Sequence, residues 1–212
     1  MSHLLLKSTH LDKEYNFYFN SKLLLKKLSK KLVIIKNMNQ DIQIGIFYGT
    51  TSQTTENIAN SIENKLLNRF EIKKFNIYKN DLKEINNFEY ILIGCPTWDI
   101  GLLQEDWRIA FPSIDTINFK GKKVAYFGAG DQFVYPDTFL DALGILEEKI
   151  TNLGGRTFGM TKSHDYMFKS SKALRGQNFV GLGIDNDNEI EKTEKRIKEW
   201  CDQITKEILT PM

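Results

Sequence analysis

The chain has 212 residues, enough for one domain with a sizeable core, and its 41% hydrophobic and 26% charged content excludes a disordered or low-complexity protein. Its formal net charge of +2 averages two unlike parts: residues 1–37 hold eight lysines against Asp12 and Glu14, whereas residues 38–212 carry 21 basic and 25 acidic side chains. That acidic balance argues against nucleic acid as the main ligand, and the lack of any apolar run near ~18 residues predicts a soluble protein with no stable membrane insertion.

Residues 1–37 have only short apolar runs, so they do not form a secretory signal. Three readings stay open: an organelle-targeting segment, though without arginine; a basic amphipathic helix with Leu24, Leu28, Leu32 and Ile35 near one face; or a tail upstream of a true start at Met38. The expected location is the cytoplasm, or a plastid if this segment is a targeting sequence. The folded domain is expected over residues 38–212.

From Met38 the pattern alternates between strand and helix. Ile42 to Tyr48 reads as a first strand, followed by the loop GTTSQTTE (49–56) and a helix with Ile58, Ala59, Ile62, Leu66 and Leu67 at helical spacing. Five hydroxyls crowd this loop, and it contains no Lys or Arg. A helix N-terminus offers unpaired N–H groups and a positive dipole end, so such a loop can hold a phosphate monoester without cations. A nucleoside triphosphatase loop would instead carry Gly-Lys-Ser/Thr. The competing reading is that Thr54 or Thr55 simply caps the helix.

Ile72 to Tyr78 and Tyr90 to Cys95 read as the second and third strands, and Cys95 as a small buried residue closing the latter. The loop CPTWDIGLLQEDW (95–107) places Trp98 beyond that strand's carboxyl end, and Trp107 as core or partner surface. Val124 to Gly128 forms a fourth strand, and FGAGDQFVYPDTF (127–139) sets Tyr135 after a small-residue turn at Gly128 and Gly130. Phe139, Leu143, Leu146, Glu147 and Ile150 define a helix stopped by Gly154-Gly155. Thr157 to Met160 and Phe179 to Ile184 are further strand candidates, and Ile190, Ile197, Trp200, Cys201, Ile204 and Ile208 close the chain as a helix with Trp200 in its core stripe. His164 reads as a surface residue.

Apolar strands alternating with helices predict an α/β fold: a doubly wound, five-stranded parallel sheet in the order 2-1-3-4-5 with helices on both faces. Ligands of such sheets bind at the carboxyl ends of strands 1 and 3, which singles out the loops after Tyr48, Cys95 and Gly128. Two aromatics beside a phosphate loop make a slot for a planar ring, and together they suggest a mononucleotide.

GTTSQTTENIA, IGCPTWDIGLLQEDW, VAYFGAGDQFVYPDTFLDALGILEEKI and SKALRGQNFVGLGID resemble, in order, segments of the long-chain flavodoxins of cyanobacteria and algae over about residues 42–208. The resemblance implies FMN as a non-covalent cofactor and a fifth strand interrupted by a long loop, here Thr161 to Asn178. It implies a phosphate cradle of Thr50, Thr51, Ser52, Gln53, Thr54 and Thr55, with Gln53 standing where the family usually has Gly. Pro96, Thr97, Trp98, Asp99, Ile100 and Gly101 would form one wall, with Trp98 stacking and the Asp99-Ile100 peptide turning on reduction. Gly128, Gly130, Asp131, Gln132, Tyr135 and Asp137 would form the other, with Tyr135 stacking and Asp131 and Gln132 at the ring's pyrimidine edge. The implied function is that of a low-potential, one-electron carrier, not an enzyme: a monomer that replaces ferredoxin and meets a ferredoxin-NADP-type reductase and photosystem I transiently. Acidic residues at Asp99, Glu105, Asp106 and Asp131 would oppose the second electron. Two rivals share the fold: an NAD(P)H:quinone reductase, which lacks these paired aromatic loops, and a receiver module, which needs an acidic pair where this chain has GTTS.

Overall fold

The computed structural model describes residues 42–210 together with Lys26 and Lys27. The chain divides into a unit of residues 1–41 and a unit of residues 42–212. In the first, Lys26 and Lys27 are helical and exposed; the three readings of residues 1–37 otherwise fall outside the described residues.

Strand β1 (Gln43–Tyr48) lies inside the sheet, one place in from its edge, and is apolar on both faces. Ile44, Ile46 and Tyr48 enter one hydrophobic layer and Phe47 the other, the pattern of a parallel strand covered twice. After α1 (Thr54–Leu66), β2 (Glu71–Asn76) pairs with it on one side, and β3 (Tyr90–Gly94) on the other. Strand β2 forms the sheet edge and carries charge there at Glu71 and exposed Lys73, which discourages pairing with a second chain. It stops at Asn76, short of the expected Tyr78, because the Asn76 side chain accepts the Tyr78 N–H and turns the chain.

The short strands β4 (Thr97–Trp98) and β5 (Leu102–Leu103) form a hairpin that leads into α2 (Glu105–Ala110). Next come β6 (Lys123–Ala129), paired parallel to β3, and α3 (Asp141–Asn152). The fifth strand arrives in two pieces: β7 (Arg156–Thr157) beside Lys123 and Val124, and β11 (Gly181–Ile184) beside Tyr126 to Ala129. Between them β8 (Thr161–Lys162), β9 (Leu174–Arg175) and β10 (Asn178–Phe179) make a small sheet of their own in the order β8-β10-β9. The strand expected at Thr157 to Met160 is instead Arg156 and Thr157, and the one expected at Phe179 to Ile184 begins at Gly181, since Phe179 pairs with the insertion. Helix α4 (Ile190–Leu209) ends the fold.

The order β2-β1-β3-β6-β11 is the doubly wound arrangement the sequence predicts. One layer holds α1 and α4, with Ile58, Ile62, Ile197, Trp200 and Ile204 against Ile46, Leu92 and Phe127. The opposite layer holds Trp107 and α3, with Leu143, Leu146 and Ile150 against Ile91, Ile93 and Tyr126. Trp200 and Trp107 are both core: each is at most 1% exposed, and their ring N–H groups donate to Gly159 O and Gly94 O at 2.7 Å. Cys95 is buried at the end of β3, and burial pushes its thiol pKa up to about 12. His164 is exposed, beside Asp165.

Candidate functional site

The first loop starts where β1 ends. The Gly49 N–H donates to Gly94 O at 3.1 Å, and a Cβ at Gly49 would lie 2.2 Å from Gln104 Oε1, so only glycine permits this approach. Gln53 then adopts φ 65°, ψ −5° and precedes α1 without a side-chain cap. The family's usual glycine is explained by that left-handed backbone; Gln53 tolerates it with its side chain in solvent. Thr51 Oγ1 accepts from Gln104 Nε2 at 3.2 Å, and Ser52 Oγ lies 3.2 Å from Thr54 Oγ1. The remaining two hydroxyls, Thr50 Oγ1 and Thr55 Oγ1, are buried without a hydrogen-bond partner. Neither Thr54 nor Thr55 therefore caps the helix. Two orphaned hydroxyls and an uncapped helix N-terminus make a donor set in need of an acceptor, and a phosphate monoester fits it.

The second loop follows Cys95, whose N–H donates to Phe127 O. Pro96 is buried, and the Thr97 hydroxyl accepts the Ala142 N–H at 3.2 Å. Trp98 is 39% exposed, and the hairpin turn after it runs through Asp99 at φ 46° and Gly101 at φ 80°, leaving Ile100 78% exposed. Gly101 packs against Thr138 and Asp141.

In the third loop, Gly128 passes so close to the Cys95 carbonyl that a Cβ would meet it at 2.2 Å. The Gly130 N–H donates to Ile184 O. Asp131 closes its own turn, accepting from the Phe133 and Val134 N–H groups and from Asn188 Nδ2 at 2.8–2.9 Å. Burial opposes its charge, but these bonds prevail and hold its pKa below the usual carboxylate range. Gln132 is turned inward: its N–H and Nε2 donate to Asp185 Oδ2 at 3.1 and 2.8 Å, and its Oε1 accepts the Met167 N–H. Its side chain is thus committed to the scaffold, because the fully buried Asp185 carboxylate has to be satisfied. Tyr135 is 42% exposed, and Asp137 is exposed, paired with Lys169.

The three loops are tied to one another, by Gln104 to Thr51 and by Thr97 and Gly101 to the start of α3. The sequence reading missed Gln104, Asp141, Asp185 and Asn188. Gln104 is 1% exposed, caps α2 through Oε1 and reaches the hydroxyl loop through Nε2. Glutamine is an uncommon cap, so only the paired acids Glu105 and Asp106 after it hinted at a helix start.

The family profile described as flavodoxin matches residues 46–200. The chain belongs to the flavodoxin family. The flavodoxin of Synechococcus elongatus is 47% identical over 165 residues, covering 78% of this chain and 97% of that protein. A Nostoc flavodoxin is 45% identical over 78% of this chain and 96% of its own length, and flavodoxin 2 of Escherichia coli is 36% identical over 79% and 97%. Among solved structures, Fusobacterium nucleatum flavodoxin bound to flavin mononucleotide superposes with a TM-score of 0.74 at 34% identity, over 78% of this chain and 98% of that one. Flavodoxins are electron-transfer flavoproteins rather than enzymes, which accords with a site built from donors and aromatic faces.

Proposed function

We propose that the chain is a low-potential, one-electron carrier that holds FMN non-covalently and stands in for ferredoxin. It would work as a monomer, in the cytoplasm or a plastid, exchanging electrons with a ferredoxin-NADP-type reductase and, in a photosynthetic host, photosystem I. The observation that carries this reading is the pair of buried, unpartnered hydroxyls at Thr50 and Thr55 beside an uncapped helix, next to two half-exposed aromatics in adjoining loops.

When bound, FMN would supply electron storage, one electron at a time. The residues do the rest. Thr50, Thr55 and the first amides of α1 would hold the phosphate, each charge-assisted bond contributing about 1.5–3 kcal/mol. Trp98 and Tyr135 would flank the ring, with about 0.5–1.5 kcal/mol per stacked contact beyond burial, and their exposure leaves an edge open to a partner. The Asp99–Gly101 turn, already left-handed at two positions, is where a backbone group can reorient. Asp99, Glu105, Asp106 and Asp131 resist added negative charge; at an effective dielectric near 20, one unit charge at ~10 Å contributes roughly 1.7 kcal/mol.

The test is a stepwise reduction of the FMN-loaded full chain, followed in the visible, and then reduction by NADPH through a ferredoxin-NADP-type reductase at several ionic strengths. Two resolved one-electron steps at low potential and a salt-sensitive, reductase-dependent rate are expected. Direct two-electron bleaching, or oxidation of NADPH without the reductase, would overturn the carrier reading.

A further inference from the structure

The turn that carries Asp99 and Ile100 rests on a buried carboxylate. A Cβ at Gly101 would fall 2.7 Å from Asp141 Oδ2 and 3.1 Å from two Thr138 carbons, so the turn touches Asp141 with nothing between. The Asp141 side chain is 4% exposed. Among the described residues its ion-pair partner is Lys172: the Lys172 N–H donates to Oδ1 at 2.7 Å, and Nζ stands 3.4 Å from Oδ2. Lys172 belongs to the insertion that splits the fifth strand. The same segment runs under the neighbouring loop, where Lys169 and Ser170 donate backbone N–H groups to Pro136 O at 2.8 and 3.1 Å, and Met167 does so to Gln132.

We infer that Asp141 is a positioning residue of the redox site, and that Lys172 of the insertion sets how much of its negative charge the site feels. This rests on the reading of the chain as an FMN carrier. Reduction adds negative charge at the site. A buried carboxylate behind the Gly101 turn opposes that charge with little screening by water, and the Lys172 ammonium offsets part of the opposition. Because that ammonium is 62% exposed, its share is the smaller. The insertion thus acts on the potential of a site it does not line.

The experiment measures FMN affinity and both midpoint potentials in the full chain and in Asp141→Asn, Lys172→Gln, Lys172→Arg and the Asp141→Asn/Lys172→Gln double variant. Asparagine keeps an acceptor for the Lys172 N–H, so the strap stays in place. Asp141→Asn should favour reduced over oxidised FMN by on the order of tenfold, the size of one unit charge at about 10 Å. Lys172→Gln should shift the ratio a few-fold the other way, Lys172→Arg should restore it, and the double variant should fall between the two singles, near the sum of their shifts, because the two fields superpose. A Lys172→Gln shift in the same direction as Asp141→Asn, or no shift in either single variant, overturns the inference while the wild-type chain still binds FMN. A wild-type chain that takes up no FMN overturns the carrier reading itself.

Discussion

Replacing Thr55 by valine should stabilise the empty protein and weaken FMN binding in the same molecule. Thr55 is fully buried and its hydroxyl has no partner. An unsatisfied buried hydroxyl costs roughly 1–3 kcal/mol, and valine removes it while keeping the β-branched shape. For a domain of this size each kcal/mol moves Tm by about 2–4 °C, so thermal unfolding of the apoprotein, followed by circular dichroism, should shift upward by a few degrees. The same change deletes a donor to a charged phosphate, a loss of about 1.5–3 kcal/mol. Fluorescence titration with FMN should then give a Kd raised by roughly 10- to 150-fold. Opposite signs in the two assays are the signature of a group held in reserve for a ligand. If Tm and affinity both fall, the hydroxyl is satisfied inside the apoprotein and the reasoning fails.

Gln53→Gly relieves a left-handed backbone that costs a side-chain-bearing residue about 1–2 kcal/mol, partly offset by glycine's freedom in the unfolded chain; melting should show a Tm unchanged or up to about 4 °C higher, whereas Gln53→Val should lower it. Trp98→Ala should weaken FMN roughly tenfold or more while moving apoprotein Tm by less than about 2 °C, because the ring is already 39% exposed. Glu189 supplies a pH signature. Burial works against its charge, but bonds from Lys192, Arg196 and Gln132 outweigh that and bring its pKa down from 4.5 to about 2. A depressed pKa contributes stability above the unfolded value, so urea midpoints should drop as pH falls from about 4.5 through about 2, and Glu189→Gln should flatten that part of the curve.

The sheet was legible because its inner strands are apolar on both faces and its helices carry clear periodic stripes, signals that live within ten or twenty residues of sequence. The hydroxyl loop was legible for a similar reason: composition and position after β1 already told of a donor site, and the backbone sign at Gln53 followed from glycine's usual place there. What escaped was held by contacts across long separations. Gln104 meets Thr51 from 53 positions away, and Gln132 turns inward to Asp185 at the same separation. The fifth strand was blurred because Asn178 and Phe179 have the character of a strand but find their partners in the insertion.

Among the described residues, three without the licence of glycine hold left-handed backbones: Gln53, Asp99 and Leu140. Each belongs to a different one of the three loops at the carboxyl edge, and none lies in the central sheet. Conformational tension is therefore sorted to one rim of the molecule, above a floor that is relaxed and dry. Amide protons should accordingly exchange soonest along that rim and latest in β1 and β3, so warming the protein would loosen its grip on a ligand well before the central sheet gives way.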